Sequence, residues 1–333
     1  MDSKITKKRL SRMLSYDWVK IILSAVGVIF IWAFIFSVTS TKITATQQFT
    51  VYSYRGNNTL SNGFYNQLNK AYNEDEIFSY EIIEMDSYDF AAIDKEANTV
   101  LSARTGASEG DVIFLSPAND LKTEYEDETT GETKYESSYK STFVQSYYYI
   151  LYNFDRSAEN NYFQEMEEYI AQFFDGDWKT TDPNPEKTEA FFRKRIKKNK
   201  DKRYKKNSQI EKGIQAEYDR IVSYKNALLE VYGYLDSGLL VPTYETIADP
   251  YDPEKTYTRA YTLNICPDES KMENLKSIIS YPLSYSDENG KTQWKNSTKD
   301  MQVAFFKYKK VEEGFACESL LYLNHVVRAS LTV

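Results

Sequence analysis

The side chains that most often carry catalysis are scarce in this chain. Of 333 residues one is histidine, His325, and two are cysteine, Cys266 and Cys317. A catalytic His needs a nucleophile within reach, and Cys317 lies two helical turns away along the same pattern, so His325 reads as structural. This inventory excludes a His/Cys metal cage, and no GxSxG, P-loop, HExxH or CxxC pattern occurs. Carboxylate pairs of the glycosidase kind are a property of three dimensions, which sequence does not fix. The expectation is therefore no metal, no cofactor and no enzymatic activity.

Binding surface, by contrast, is abundant: there are 29 tyrosines, and aromatics make up 15% of the chain. Each tyrosine offers an apolar ring and a polar tip, which suits stacking on sugars or peptides. Tyr147, Tyr148 and Tyr149, Tyr232 and Tyr234, Trp178 and Trp294 are the candidates, while most tyrosines are expected at a wet core boundary. The residues best placed for a small polar ligand stand where strands end. These are Tyr54, Arg55 and Asn57 after the first strand, Glu84 and Asp86 after the second, and Ser116, Asn119 and Asp120 after the third. Arg55 would fork a carboxylate, and Tyr54, Asn57, Ser116 and Asn119 would hydrogen-bond hydroxyls. The competing reading makes Asn57 and Asn119 turn and cap residues and Arg55 a solvated charge.

The elements that position these residues follow from periodicity. Residues 49–54 alternate as a strand and end in a turn cluster. Phe64, Leu68, Ala71 and Tyr72 share a helical face, a second strand covers 78–85, and Phe90 to Leu101 repeat at helical spacing behind a cap at Asp86 or Ser87. Asp111 to Leu115 is apolar on both faces, as a central parallel strand requires. The order β-α-β-α-β gives a parallel sheet, whose ligands bind outside the carboxyl ends of the strands.

Residues 119–140 are acidic and nearly free of aliphatics, an expected mobile loop or ragged hairpin. Residues 141–240 read as a helical insertion. Phe143 to Phe154 is ambiguous between helix and strand. A helix from Phe163 to Phe173 follows, a start is marked at Asn184-Pro185, and a long apolar stripe runs from Ile210 to Leu235. Within it, Arg193 to Lys206 holds ten basic residues against Asp201, either a patch for anionic headgroups or wall polymers, or a solvated helix surface. Residues 255–333 supply strands at 257–265 and 303–308 and helices at 272–279 and 315–331, completing the α/β lobe. Cys266 and Cys317 either pair in a disulfide closing a loop of about fifty residues or remain two buried thiols.

At the N-terminus, residues 21–38 form eighteen apolar or small residues without charge, long enough to span a bilayer core. The basic residues before this run outweigh the acidic ones, so residues 1–20 are expected in the cytoplasm and the remainder outside, behind an uncleaved signal-anchor. A cleaved signal peptide is the rival reading. Beyond residue 38 the chain is strongly acidic, which argues against nucleic-acid binding.

The stretch TVYSYRGN, then a helix and a strand, then VLSARTGASEGDVIFLSP, resembles the opening lobe of extracytoplasmic solute-binding proteins of ABC transporters, with a type 2 periplasmic-binding fold. The resemblance covers residues 48–118. It implies a plasma-membrane protein that captures a small polar ligand, a sugar in the first instance, for an ABC permease or for another binding protein. In that family the second lobe is also α/β, whereas the middle of this chain is helical. The alternative function is a cell-envelope interaction protein whose helical insertion contacts a membrane partner and whose lobe binds nothing small.

Overall fold

The computed structural model describes residues 6–39, 47–54, 77–78, 84–90, 97–117, 124–126, 133–135, 139–199, 201, 203–249, 252, 254–308 and 314–331. The chain divides into two compact units, residues 1–44 and 45–333. The first is built on one helix, α1 (Lys7–Thr39). Within its stretch Trp18–Ser37, 18 residues have a mean hydropathy of 2.5, none of them covered by protein. A helix needs about 20 apolar residues to cross a bilayer, so α1 is long and apolar enough to be a membrane anchor or a signal sequence.

The second unit is a mixed α/β structure around a six-stranded sheet. Its strands are β1 (Gln48–Tyr54), β2 (Glu84–Asp89), β3 (Val112–Leu115), β6 (Val241–Ala248), β7 (Thr256–Asn264) and β10 (Gln302–Phe305), in the order β2-β1-β3-β10-β7-β6. β2, β1 and β3 run parallel, with Val51 level with Ser87 and Val112. β10 lies antiparallel between β3 and β7, and β7 pairs antiparallel with β6. The sheet is thus closed by strands drawn from beyond residue 240. Two short antiparallel ribbons stand apart, β4 (Glu124–Glu126) with β5 (Thr133–Tyr135), and β8 (Tyr281–Ser286) with β9 (Thr292–Ser297). The first of these falls in the acidic stretch.

Alternation along the central strands explains why they are apolar on both faces. Phe49, Val51, Val112, Phe114, Val303 and Phe305 point into one core, and Tyr52, Tyr54, Ile113, Leu115 and Ala304 into another. The first core is covered by α4 (Tyr162–Ala171), α6 (Asn207–Asp236), the short α7 (Leu275–Ile278) and α8 (Ala316–Ser330). The second is covered by α2 (Ala97–Gly106) and α3 (Tyr139–Tyr147). Both faces being buried, polar alternation has no place in β1 or β3.

Helix ends follow the local chemistry. Asn184 accepts the N–H groups of Glu186 and Lys187 and places Pro185 at the first position of α5 (Pro185–Lys198). Asn161 likewise accepts the N–H of Gln164 to open α4. The segment Phe143 to Phe154 opens as helix, α3 followed by one 3-10 turn at Tyr148–Ile150, and then makes a single antiparallel bridge from Leu151 to Phe306 without forming a strand.

The helical layer is tied by a buried ionic network. Glu217 and Arg220 on α6 pair with each other, and Arg195 on α5 reaches Glu217 at 3.0 Å. Arg220 donates to Tyr224 at 3.1 Å and to Tyr169 of α4 at 3.2 Å. Tyr224 in turn donates to Glu318 of α8. Two acids and two guanidiniums balance in charge, and four helices share the bonds, which is what permits ions in a core.

The fold bears on three of the expectations. The second strand is described at Glu84–Asp89, an edge strand that tolerates polar residues because only one flank is paired; of the expected span 78–85, residues 79–83 lie outside the described residues. Glu84 and Asp86 therefore sit in its amino half rather than beyond its end. Cys266 and Cys317 are free and buried. Cys266 faces Thr298 and Cys317 faces Met166 on α4, so each thiol is packed among different neighbours. The basic run Arg193 to Lys206 forms the corner between α5 and α6, where Phe192 and Tyr204 meet edge to face at 5.0 Å. Part of its charge is internally paired, Arg193 with Glu189 and Arg203 with Asp201.

Candidate functional site

A half-open cleft of about 620 Å³ lies where β1 ends, between α2 and the α3 to 3-10 segment. That volume is within the range of small-ligand sites, about 300–1,000 Å³. It also lies at the carboxyl end of β1, which has β2 on one side and β3 on the other, where the order of parallel strands reverses and open α/β sheets bind ligands.

The floor comes from Tyr54, Leu101 and Phe143, all buried. One wall is α2, which presents Asn98, Leu101, Ser102 and Thr105 at a helical spacing of three and four. The other wall carries Ser146, Tyr147 and Tyr149. Tyr54 donates its hydroxyl to Asn98 Oδ1 at 2.8 Å. Ser102 and Tyr147 join hydroxyl to hydroxyl at 2.7 Å across the two walls. Thr105 donates back to the carbonyl of Leu101. Tyr149 is 70% exposed and stands edge-on to Tyr148 with 5.9 Å between ring centroids. The lip of the cleft is thus an uncovered aromatic ring.

Each wall is fixed by a separate set of contacts. Arg104 lies 3.6 Å over the ring of Tyr88 and pairs with Glu109 at 3.0 Å, which pins α2 to the sheet. The turn from α2 into β3 needs Gly110, at φ +112°, because the Tyr52 ring covers it and a Cβ there would lie 2.4 Å from a ring carbon. The 3-10 turn is sewn to the end of β10: Lys307 donates its N–H to Ile150 at 2.7 Å and Tyr152 donates to Phe305 at 3.0 Å. Phe143 meets Phe306 edge to face at 6.0 Å.

Among the described lining residues none is charged. What the cleft offers is neutral hydroxyl and amide groups, both donors and acceptors, beside aromatic faces. Outside the lining, Asp111 just before β3 is a strongly perturbed acid. It accepts the N–H of Thr50 at 2.7 Å, and desolvation pushes its carboxyl up to about 7 against that bond.

Of the residues singled out from sequence, Tyr54 lines the cleft. Ser116 stands beside it, donating its N–H to the Tyr54 carbonyl, with its own hydroxyl buried and unpartnered, but it does not line the cavity. Asp86 accepts from Gln48 at 2.7 Å near the opposite end of the strands, and Glu84 pairs with Gln48 at the first rung; neither belongs to the site. Arg55, Asn57, Asn119 and Asp120 fall outside the described residues. Of the tyrosines proposed for stacking, Tyr147 and Tyr149 line the cleft, whereas Tyr232 bonds Glu167 at 2.7 Å elsewhere. The residues missed were Asn98, Ser102 and Thr105. Their shared helical face was the available signal. Among the described residues no group of acids, His and Cys forms a metal site.

Compared with family models, curated proteins and solved structures, the chain matches none.

Proposed function

We propose that this is a membrane-anchored, extracytoplasmic solute-binding-like protein whose cleft at the end of β1 takes a small neutral ligand, a sugar or polyol. The observation that carries the reading is the uncharged polar and aromatic lining at that place in a parallel βαβ arrangement. Neutral hydroxyls of a ligand would exchange hydrogen bonds with Asn98, Ser102 and Tyr147, and a sugar ring would lie against Tyr149. The resemblance of residues 48–118 to solute-binding lobes supplies the link to an ABC permease. The apolar stretch of α1 supplies the anchor, with the basic tail on the cytoplasmic side. Thermal unfolding of the full chain in detergent, with and without neutral sugars, tests binding. Proteolysis of intact cells, which should remove epitopes beyond residue 45 and spare the N-terminal tail, tests topology.

One observation favours the second reading, an envelope interaction protein. Lys194, Lys197, Lys198, Lys205 and Lys206 are exposed together at the α5–α6 corner of a chain that is acidic elsewhere, a charge separation suited to an anionic partner. Binding of the full chain to anionic but not neutral vesicles, lost on reversing three of these lysines, would support it.

A further inference from the structure

The helix α1 is longer than a bilayer requires. Its 33 residues extend for about 50 Å, at about 1.5 Å per residue. The apolar stretch Trp18–Ser37 already covers a hydrocarbon core of about 30 Å. The surplus, Lys7 to Asp17, continues the same helix, so helical rise sets how far each position stands from the apolar stretch. With that stretch in the core, Arg12 lies about 9 Å before Trp18 and Lys7 about 16 Å before it. Headgroups occupy about 5–8 Å on each side of the core, and charges act over about 8–10 Å of physiological saline. The whole surplus therefore stands among the headgroups or inside their field.

Its charge is one-sided. From Lys7 to Lys20 the basic residues are Lys7, Lys8, Arg9, Arg12 and Lys20, against the single acid Asp17. Lys7, Lys8, Arg9 and Lys20 are exposed. Helical spacing sorts the positions further: Lys8, Arg9, Arg12 and Lys20 share one side of α1, and Leu10, Met13, Leu14 and Trp18 share the other. Keeping a tail in the cytoplasm needs basic residues in any arrangement. Sorting them opposite an apolar side is what a helix at a lipid surface needs, its apolar side against the acyl boundary and its cations among phosphates. Tilt of a spanning helix, commonly about 20°, brings such a side down onto the membrane.

We propose that residues 7–20 of α1 dock on anionic phospholipid headgroups of the leaflet at which the helix enters the bilayer. Juxtamembrane lysines and arginines gain most where that leaflet is negatively charged, so this end of α1 is a lipid-selective contact. The inference rests on α1 being a membrane anchor and is independent of the cleft at β1.

The test is amide hydrogen exchange of the full chain in lipid nanodiscs, made of phosphatidylcholine alone or of phosphatidylcholine with phosphatidylglycerol. Exchange over residues 7–17 should be at least fivefold slower in the anionic discs, and the difference should vanish in molar salt. A variant with Lys8→Gln, Arg9→Gln and Arg12→Gln keeps good helix formers. It should enter both kinds of disc as wild type does, but exchange alike in the two. Equal exchange of the wild type in both discs, or undiminished protection of the variant in anionic discs, overturns the inference and leaves the anchor standing. Failure of the chain to co-elute with discs of either lipid would overturn the anchor and the inference together.

Discussion

The hydroxyl of Tyr54, the last residue of β1, donates to Asn98 Oδ1 in the first turn of α2 at 2.8 Å. This one bond joins the end of a central strand to the helix that walls the cleft, and it occupies the oxygen of the Asn98 amide, not its N–H groups. Asn98→Ala should therefore weaken binding of a neutral ligand by about 1 kcal/mol or more, roughly fivefold, while changing the unfolding midpoint little. Tyr54→Phe frees the Asn98 oxygen and should weaken binding less. Titration of both variants beside wild type checks the order.

Asp111 makes the stability of this unit depend on pH. Its carboxyl is raised to about 7 in the folded chain, above the ordinary value of about 3.9. The folded state thus holds the proton more tightly than the unfolded state. The benefit is full below about pH 4 and is lost as pH rises through 7. Asp111 is half-buried, so the expected loss is about 1–3 kcal/mol. Asp111→Asn keeps an acceptor for the Thr50 N–H, and should flatten the difference between pH 5 and pH 8 and raise the midpoint at pH 8. Denaturant melts of the two proteins across that range measure it.

Arg220 sits at the centre of the ionic network, with its side chain 3% exposed. Arg220→Met removes one charge of a balanced set and leaves Glu217 and Glu318 facing each other's field in the core. The expected cost is about 3–5 kcal/mol, enough to abolish cooperative unfolding in a marginally stable chain. Glu217→Gln in the same background should return part of that stability, which a double-mutant cycle would reveal.

Cys266 and Cys317 are buried, and burial pushes both thiols up from their usual range. Thiolate is the reactive form. A thiol reagent at neutral pH should therefore label neither residue in the native protein and both in denaturant, with no reductant needed. Labelling of fewer than two in denaturant would point to a disulfide.

The parallel β1-β2-β3 half was legible because Asp111 to Leu115 is apolar on both faces and Phe49 to Tyr54 alternates between two cores. The long stripe from Ile210 to Leu235 declared α6 for the same reason. The length of β2 beyond Met85 was not legible, because an edge strand of sequence EMDSYD carries no apolar pattern. Glu217, Arg220 and Glu318 gave no sign of their burial: a Glu and an Arg three residues apart look like a surface pair until other helices enclose them. Asn98 and Ser102 escaped for a related reason. Their face of α2 is half polar, and only the approach of α3, distant in sequence, turns it into a wall.

We propose that the cleft at the end of β1 binds a neutral, hydroxyl-bearing ligand. The most direct test is fluorescence-monitored thermal unfolding of the full chain in detergent against neutral sugars and polyols, with charged oligopeptides alongside. A ligand at about 100 times its dissociation constant adds about 2.7 kcal/mol, a rise of at least a couple of degrees for a unit of this size. The expected result is that rise with at least one neutral sugar or polyol, and a smaller rise in Asn98→Ala. A cooperative transition unmoved by every neutral ligand, or moved only by charged ones, would contradict it.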